Sequence, residues 1–169
     1  MAQKPSNLVL IGMPGSGKST VGVILAKRAG RDFVDTDVLI QTARQRTLQD
    51  IVDTDGYLAL RKIEEEVLLD LVVRNHVIAT GGSAVYSNPA MEHLKADGIV
   101  IFLNADLDTL AALVHDFRTR GLAKRSDQSF ADLFAERFPL YTKYADITIN
   151  CAGLDQEEVC TRIIARIES

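Results

Sequence analysis

The residues from Gly12 to Ser19 constrain the fold of this chain more than any other segment. They read Gly-Met-Pro-Gly-Ser-Gly-Lys-Ser and match the pattern G-x-x-x-x-G-K-[ST] in full. The apolar run at residues 8–11 before the motif predicts a buried strand, and residues 20–29 after it predict a helix. A glycine-rich turn between a strand and a helix points successive N–H groups and the helix dipole at a phosphate. The motif therefore predicts a nucleoside triphosphate site, and an ordinary glycine-rich turn is the alternative.

The composition limits the class of protein. A chain of 169 residues with 47% hydrophobic and 25% charged residues fits one globular domain, and we expect that domain to span residues 1–169. The net charge of −4 argues against a nucleic-acid partner, because such proteins usually carry a basic excess. The chain has neither an apolar run of roughly 18–20 residues nor a hydrophobic start, so we expect a cytoplasmic protein without a membrane partner.

Short apolar runs alternate with helical patterns along the rest of the chain. Strands are expected at residues 8–11, 33–34, 77–79, 99–103 and 147–149, and helices at 57–73, 90–95, 108–117, 130–144 and 156–167, with a further helix opening at a capping box at 47–50. This alternation predicts an α/β fold, a parallel sheet with helices on both faces. Ligands of such sheets bind beyond the carboxyl ends of the strands, where the glycine-rich motif also lies.

Two carboxylates follow the second expected strand, in the sequence Asp35-Thr36-Asp37. Alternate positions of an extended chain point the same way, so we expect both side chains to face the phosphate loop. One would hold Mg²⁺ through water, and the other would face a hydroxyl group that is phosphorylated. The structural alternative is a helix N-cap, with Asp37 capping a helix that starts near Val38.

Two arginines could bind an anionic substrate. Arg61 and Arg137 each offer a guanidinium fork that binds a carboxylate by two parallel hydrogen bonds, although each alone is typical of a surface residue. Gly81 and Gly82 follow the third expected strand and permit close approach of the backbone to a ligand. The tetrapeptide Thr80-Gly81-Gly82-Ser83 by itself favours a plain tight turn.

Residues 118–129 are basic, weakly apolar and contain a glycine. A mobile basic segment between two helices is a candidate lid, because phosphoryl transfer needs cations that close over the γ-phosphate. A solvated loop is the alternative interpretation.

These motifs, taken in order, resemble the shikimate kinase family over nearly the whole chain. The resemblance rests on the loop at residues 12–20, Phe33-Val34-Asp35-Thr36-Asp37, Arg61-Lys62-Ile63-Glu64, Gly81-Gly82 and Glu136-Arg137-Phe138-Pro139-Leu140-Tyr141. It implies the three-layer fold of the nucleoside monophosphate kinases, with a five-stranded parallel sheet in the order 2-3-1-4-5. It also implies an acceptor-binding segment at about 35–64, a lid at about 116–129 and a monomer.

The resemblance further implies a role for each matching residue. Lys18, Asp37 and Arg120 would be catalytic: Lys18 on the β- and γ-phosphates, Asp37 on the attacking hydroxyl and Arg120 on the transferred phosphoryl group. Ser19 and Asp35 would hold Mg²⁺, and Arg61 and Arg137 would bind the acceptor carboxylate beside Gly81 and Gly82. Arg118 and Arg125 are alternatives to Arg120 as the lid cation. The residues implied to contact ATP are Gly12, Pro14, Gly15, Ser16, Gly17, Lys18, Ser19, Thr20 and Arg120.

The implied activity is transfer of the γ-phosphoryl group of ATP to the 3-hydroxyl of shikimate, a step toward chorismate and the aromatic amino acids. The chain departs from the family pattern at Ser83, where a third glycine is usual, and at Gly121, where a proline usually follows the lid arginine. These departures keep two alternatives open. One is a related kinase for another hydroxylated anion such as gluconate, and the other is a nucleotide-binding module without turnover.

Overall fold

The protein folds around a five-stranded parallel sheet, as seen in a computed structural model that describes residues 3–113 and 121–169. The strands are β1 (Asn7–Ile11), β2 (Asp32–Asp35), β3 (His76–Ala79), β4 (Gly98–Asn104) and β5 (Ile147–Asn150). Their order is β2-β3-β1-β4-β5, and every neighbouring pair is parallel. The expected fold class and strand order are confirmed. Because β1 lies at the centre, the loop that follows it emerges at the middle of the carboxyl edge.

Helices cover both faces of this sheet. They are α1 (Lys18–Ala29), α2 (Thr36–Arg44), α3 (Leu48–Asp55), α4 (Tyr57–Asp70), α5 (Asn88–Lys95), α6 (Leu107–Leu113), α7 (Phe130–Tyr144) and α8 (Gln156–Glu168). One apolar core joins the sheet to α4, α5, α6 and α7, and a second joins it to α1 and α8. None of the helices in the described part of the chain has the length and apolar character that a membrane span requires.

A third, smaller apolar cluster lies at the carboxyl side of the sheet. It joins Ile40 of α2, Ile51 of α3 and Leu60 of α4 to Ala123, which precedes α7. This cluster fixes α2 and α3 as a wall beside the phosphate loop.

Several helix ends differ from the expected ones. The helix expected at 57–73 ends at Asp70, because Leu71 adopts an extended backbone with φ −75° and ψ 112°. The helix expected at 108–117 is described from Leu107 to Leu113, and its remaining residues lie outside the described ranges. Thr47 caps α3 as expected, since its side chain accepts from the N–H of Asp50. A short 3₁₀ helix at Ala84–Tyr86 was not expected from the pattern.

The expected extended backbone through Asp35 and Asp37 is wrong, although both carboxylates lie beside the phosphate loop as expected. The helix α2 begins at Thr36, so only Asp35 has an extended backbone and Asp37 belongs to the first helical turn. Asp35 is also the N-cap, and its Oδ1 accepts from the N–H of Asp37 at 2.9 Å, so Asp37 is not the cap of a helix near Val38. A cap carboxylate satisfies an N–H group that the first turn leaves unpaired, and this favours the earlier helix start.

Candidate active site

A cleft of about 390 Å³ opens at the carboxyl edge of the sheet, beside the loop that follows β1. Its walls come from α1, α2, α3, α4 and α7, from the turn after β3 and from the chain that precedes α7. The residues that line it are Pro14, Gly15, Gly17, Lys18, Ser19, Thr20, Asp37, Leu48, Leu60, Glu64, Thr80, Gly81, Gly82, Ser83, Gly121, Leu122, Ala123 and Arg137.

The phosphate loop has the backbone that its glycines permit. Gly15 and Gly17 have φ values of 85° and 92°, in the left-handed region that disfavours other residues. Lys18 begins α1 and is 8% exposed, and its Nζ donates to the carbonyl oxygens of Gly12 (2.7 Å) and Met13 (2.9 Å). The loop therefore holds a buried ammonium group at the N-terminus of a helix, an arrangement suited to phosphate oxygens.

Burial lowers the pKa of Lys18 to about 8, and the nearby Asp37 carboxylate opposes that shift. The ammonium is thus still protonated at pH 7. Its carbonyl partners are neutral, so its positive charge is not cancelled by a direct hydrogen bond to an acid.

Ser19 and Asp35 form a hydrogen-bonded pair next to the loop, with 2.6 Å between Ser19 Oγ and Asp35 Oδ2. Hydroxyl and carboxylate oxygens suit Mg²⁺, which usually takes one or two protein ligands together with phosphate and water oxygens. The described residues hold no group of three or more His, Cys, Asp or Glu side chains that could form an all-protein metal cage. The pair therefore fits Mg²⁺ that arrives with a nucleotide.

Two carboxyl groups with raised pKa values face the turn after β3. Burial raises the pKa of Asp37 to about 6, and the neighbouring Asp35 carboxylate adds to that rise. Burial raises the pKa of Glu64 to about 7, with a further contribution from the Asp37 carboxylate. Both groups lie against Gly81, where an added Cβ would be 2.3 Å from Glu64 Oε2 and 2.6 Å from Asp37 Oδ1. A side chain at Gly81 would displace both carboxyl groups, so the glycine makes room for them and a plain turn is an incomplete interpretation.

Arg137 projects from α7 into the cleft and is 1% exposed. Its guanidinium donates to the Ala123 carbonyl (Nη2, 3.1 Å) and to the Tyr86 hydroxyl (Nε, 3.3 Å). Gly82 lies against it, because a Cβ there would be 2.6 Å from Nη1. Among residues 3–113 and 121–169, no carboxylate forms an ion pair with this guanidinium at 4 Å or less. A buried cation held only by neutral groups has capacity for an anionic ligand.

Arg61 lies in a smaller adjoining cleft of about 270 Å³, which shares Glu64 and Ser83 with the first. Its guanidinium carbon is 3.5 Å from the centre of the Tyr86 ring, and its Nη2 is 3.8 Å from Glu136 Oε1. Its buried Nε has no hydrogen-bond partner among the described residues. The structure thus brings Arg61 and Arg137 to the same tyrosine, with Arg137 in the first cleft and Arg61 in the cleft that adjoins it.

Part of the expected lid lies across the cleft. The Gly121 N–H donates to Gln49 Oε1 of α3 at 2.7 Å, and Ala123 binds Arg137 through its carbonyl. Arg125 is exposed, is 3.9 Å from Asp127, and does not line the cleft. Arg118 and Arg120 lie outside the described residues.

Comparison with known proteins identifies the family. The family model for shikimate kinase matches residues 14–168. The chain belongs to the shikimate kinase family. It is 37% identical over 165 residues to the shikimate kinase of Thermodesulfovibrio yellowstonii, covering 96% of this chain and 95% of that one. It is also 37% identical to the enzyme of Symbiobacterium thermophilum, with 96% of each chain covered.

Solved shikimate kinases share the fold. The Acinetobacter baumannii shikimate kinase in complex with shikimate superposes with a TM-score of 0.89 and 32% identity, covering 96% of this chain and 93% of that one. The Aquifex aeolicus shikimate kinase superposes with a TM-score of 0.79 and 29% identity, covering 96% of each chain.

The structure brings most of the expected site residues of this shikimate kinase family member to the cleft. Gly12, Ser16 and Asp35 do not line it, but the first two lie against Lys18 and the third binds Ser19. Arg61 lines the adjoining cleft, and Arg120 lies outside the described residues. Sequence reasoning assigned no role to Glu64, although its position three residues after Arg61 places both on neighbouring parts of one helix face. Tyr86 belongs to no motif, so no sequence signal pointed to it.

Proposed function

We propose that this protein is a shikimate kinase that transfers the γ-phosphoryl group of ATP to the 3-hydroxyl of shikimate, a step toward chorismate and the aromatic amino acids. One observation carries the choice of acceptor. Arg137, a buried guanidinium without a described acidic partner, faces a cleft that also contains the phosphate loop. An acceptor with a carboxylate would supply the missing negative charge. A monomeric state and a cytoplasmic location belong to the same proposal.

The nucleotide side is assigned to the loop and the residues that follow it. We propose that Gly12, Pro14, Gly15, Ser16, Gly17 and Thr20 surround the phosphates together with Lys18, and that Ser19 and Asp35 hold Mg²⁺, Asp35 through water. Mg-ATP supplies the phosphoryl group. The protonated Lys18 stabilises the negative charge on the oxygens around that group, which is the main catalytic need of phosphoryl transfer. Arg120 is proposed as the lid cation, with Arg118 and Arg125 as its alternatives.

The acceptor side is assigned to Asp37, Arg61, Gly81, Gly82 and Arg137. With a pKa raised to about 6, Asp37 is mostly ionised at pH 7 and is still basic enough to accept the proton of a hydroxyl group. The arginines fix the carboxylate end of the acceptor, so that the attacking hydroxyl lies at Asp37. Positioning of this kind holds the hydroxyl and the phosphoryl group in a reactive geometry, so that they do not have to meet by diffusion.

The test is ADP release from Mg-ATP with and without shikimate, in wild type and in Arg61→Ala. Loss of one side of a charge pair costs about 2–5 kcal/mol, so the KM for shikimate should rise at least tenfold while the KM for ATP stays unchanged. Arg44→Ala is the matched control, because Arg44 pairs with Glu66 on the surface, away from the cleft. ADP release independent of shikimate, or an unchanged KM in Arg61→Ala, would contradict the proposal.

Gluconate serves as the competing acceptor in the same assay. A kinase with the proposed specificity releases ADP faster with shikimate than with gluconate at equal concentrations. The opposite ranking would assign the site to another hydroxylated anion. ATP binding with no turnover on either acceptor would indicate a binding module instead.

A further inference from the structure

Tyr86 contacts both of the arginines that we assign to the acceptor carboxylate. It ends the 3₁₀ helix Ala84–Tyr86, directly after the glycine turn that follows β3. Its ring lies beneath Arg61, whose guanidinium carbon is 3.5 Å from the ring centre. Its hydroxyl oxygen accepts from Arg137 Nε at 3.3 Å, and the Arg137 guanidinium carbon is 5.3 Å from the same ring.

The Tyr86 hydroxyl donates a hydrogen bond in addition to the one that it accepts from Arg137. It donates to Glu136 Oε1 at 2.9 Å, and that oxygen is 3.8 Å from Arg61 Nη2. The other oxygen of Glu136 accepts from the side chain of Gln128, in the segment that precedes α7. With both capacities used, the orientation of the phenol is determined by its partners.

This arrangement solves a physical problem of the acceptor site. Two guanidinium groups near one another repel, and each has several side-chain torsions that must be ordered before both can bind one carboxylate. The negative face of an aromatic ring attracts the first cation, and a neutral hydroxyl holds the second without cancelling its charge. A tyrosine can therefore order both groups without itself neutralising either charge, and only Arg61 has a carboxylate, that of Glu136, within 4 Å among the described residues.

We propose that Tyr86 is a positioning residue of the acceptor site, whose ring holds Arg61 and whose hydroxyl orients Arg137 toward one carboxylate. This inference rests on the proposed function, because it assumes an acceptor with a carboxylate. It assigns a role in acceptor binding to a residue outside the loop, the acidic pair and the two arginines.

Two substitutions separate the ring from the hydroxyl. Tyr86→Phe keeps the ring beneath Arg61 and removes the hydrogen bonds to Arg137 and Glu136, whereas Tyr86→Leu removes both kinds of contact. The loss of the hydrogen bond that orients Arg137 predicts a rise in the KM for shikimate of roughly threefold to tenfold in Tyr86→Phe. The additional loss of the cation–π contact predicts a larger rise, above about tenfold, in Tyr86→Leu. In both variants the kcat and the KM for ATP should stay within about twofold of wild type, since these contacts bind and orient rather than react.

Tyr144→Phe is the matched control. Like Tyr86→Phe it removes only a hydroxyl, here from a buried tyrosine that donates to Asn88 Oδ1 at 2.7 Å outside the cleft. This variant should leave the KM for shikimate unchanged. Melting temperatures of all three variants show which of them fold. If Tyr86→Leu does not fold, Tyr86→Phe alone provides the test.

Two results would overturn the inference. One is an unchanged KM for shikimate in Tyr86→Phe, and the other is a parallel loss of kcat, ATP affinity and shikimate affinity, which indicates a general structural role. Wild-type protein that releases ADP without regard to shikimate would refute the proposed function itself. That failure is seen before any variant is measured, so the two failures are distinguishable.

Discussion

At the scale of the residue, burial changes the acid–base chemistry of the cleft. Removal from water disfavours the charged form, so it raises the pKa of Asp37 to about 6 and of Glu64 to about 7, and lowers the pKa of Lys18 to about 8. These three pKa values lie within about one unit of pH 7, so a small change in the surroundings of any of these groups changes its protonation. Asp37 is the group best placed for catalysis, because it lies between the phosphate loop and the glycine turn.

Asp37→Asn should lower kcat by a factor of about 10² to 10⁴, the usual contribution of a general base, and leave the fold intact because the amide is nearly isosteric. In wild type the active form is the carboxylate, so kcat/KM should rise as the pH increases through about 6. Initial rates between pH 5 and pH 8 measure both effects. Asp70→Asn, at the exposed end of α4, is the control and should behave as wild type. A wild-type rate in Asp37→Asn would exclude the proposed base.

At the scale of the element, the sequence predicts what depends on local pattern. All five apolar runs are strands, and α7 has the expected bounds, because buried parallel strands leave continuous apolar runs and amphipathic helices leave a periodic pattern. The backbone at Asp37 was predicted wrongly, because the cap contact that starts α2 at Thr36 competes with extension of β2. The 3₁₀ helix at Ala84–Tyr86 has only three residues and no periodic signal, so its position and the placement of Tyr86 depend on tertiary packing.

The helix α7 presents Arg137 to the cleft, and a capping box begins it. Ser129 Oγ accepts from the Asp132 N–H at 3.0 Å, and the Asp132 carboxylate accepts from the Ser129 N–H at 3.2 Å. Ser129→Ala should lower the free energy of unfolding by about 1 kcal/mol. Urea unfolding measures this, with Thr142→Ala on the exposed face of the same helix as a control that should change by less than about 0.5 kcal/mol. Equal stabilities of Ser129→Ala and wild type would show that the box does not stabilise α7.

At the scale of the whole molecule, the site makes stability depend on pH. Glu64 is 3% exposed, and its Oε1 accepts from Ser83 Oγ at 2.5 Å, but burial outweighs this hydrogen bond and raises its pKa from 4.5 to about 7. Between these two values the folded protein binds more protons than the unfolded chain, so the free energy of unfolding falls as the pH rises. The raised pKa of Asp37 also lowers the free energy of unfolding as the pH rises, between about pH 4 and pH 6. The lowered pKa of Lys18 changes the free energy of unfolding only above about pH 8.

Glu64→Gln should therefore reduce the loss of stability between pH 5 and pH 7.5. At about 1.4 kcal/mol for each pKa unit, the part of the Glu64 shift that lies in this interval corresponds to a difference on the order of 2 kcal/mol between the two proteins. Urea unfolding at both pH values, without nucleotide or acceptor, measures it. The exposed Glu66 provides the control Glu66→Gln, which should keep the wild-type dependence. The same pH dependence in Glu64→Gln and wild type would contradict this account.

Phosphoryl transfer to an acidic, hydroxylated acceptor is the reaction that we propose for the cleft. The most direct test is ³¹P NMR of Mg-ATP incubated with the protein and shikimate, together with proton correlation to locate the new phosphate. We predict ADP and one phosphomonoester, coupled to the proton at carbon 3 of shikimate, and none without shikimate. ADP with inorganic phosphate as the sole second product, or a phosphate on another hydroxyl, would contradict the account.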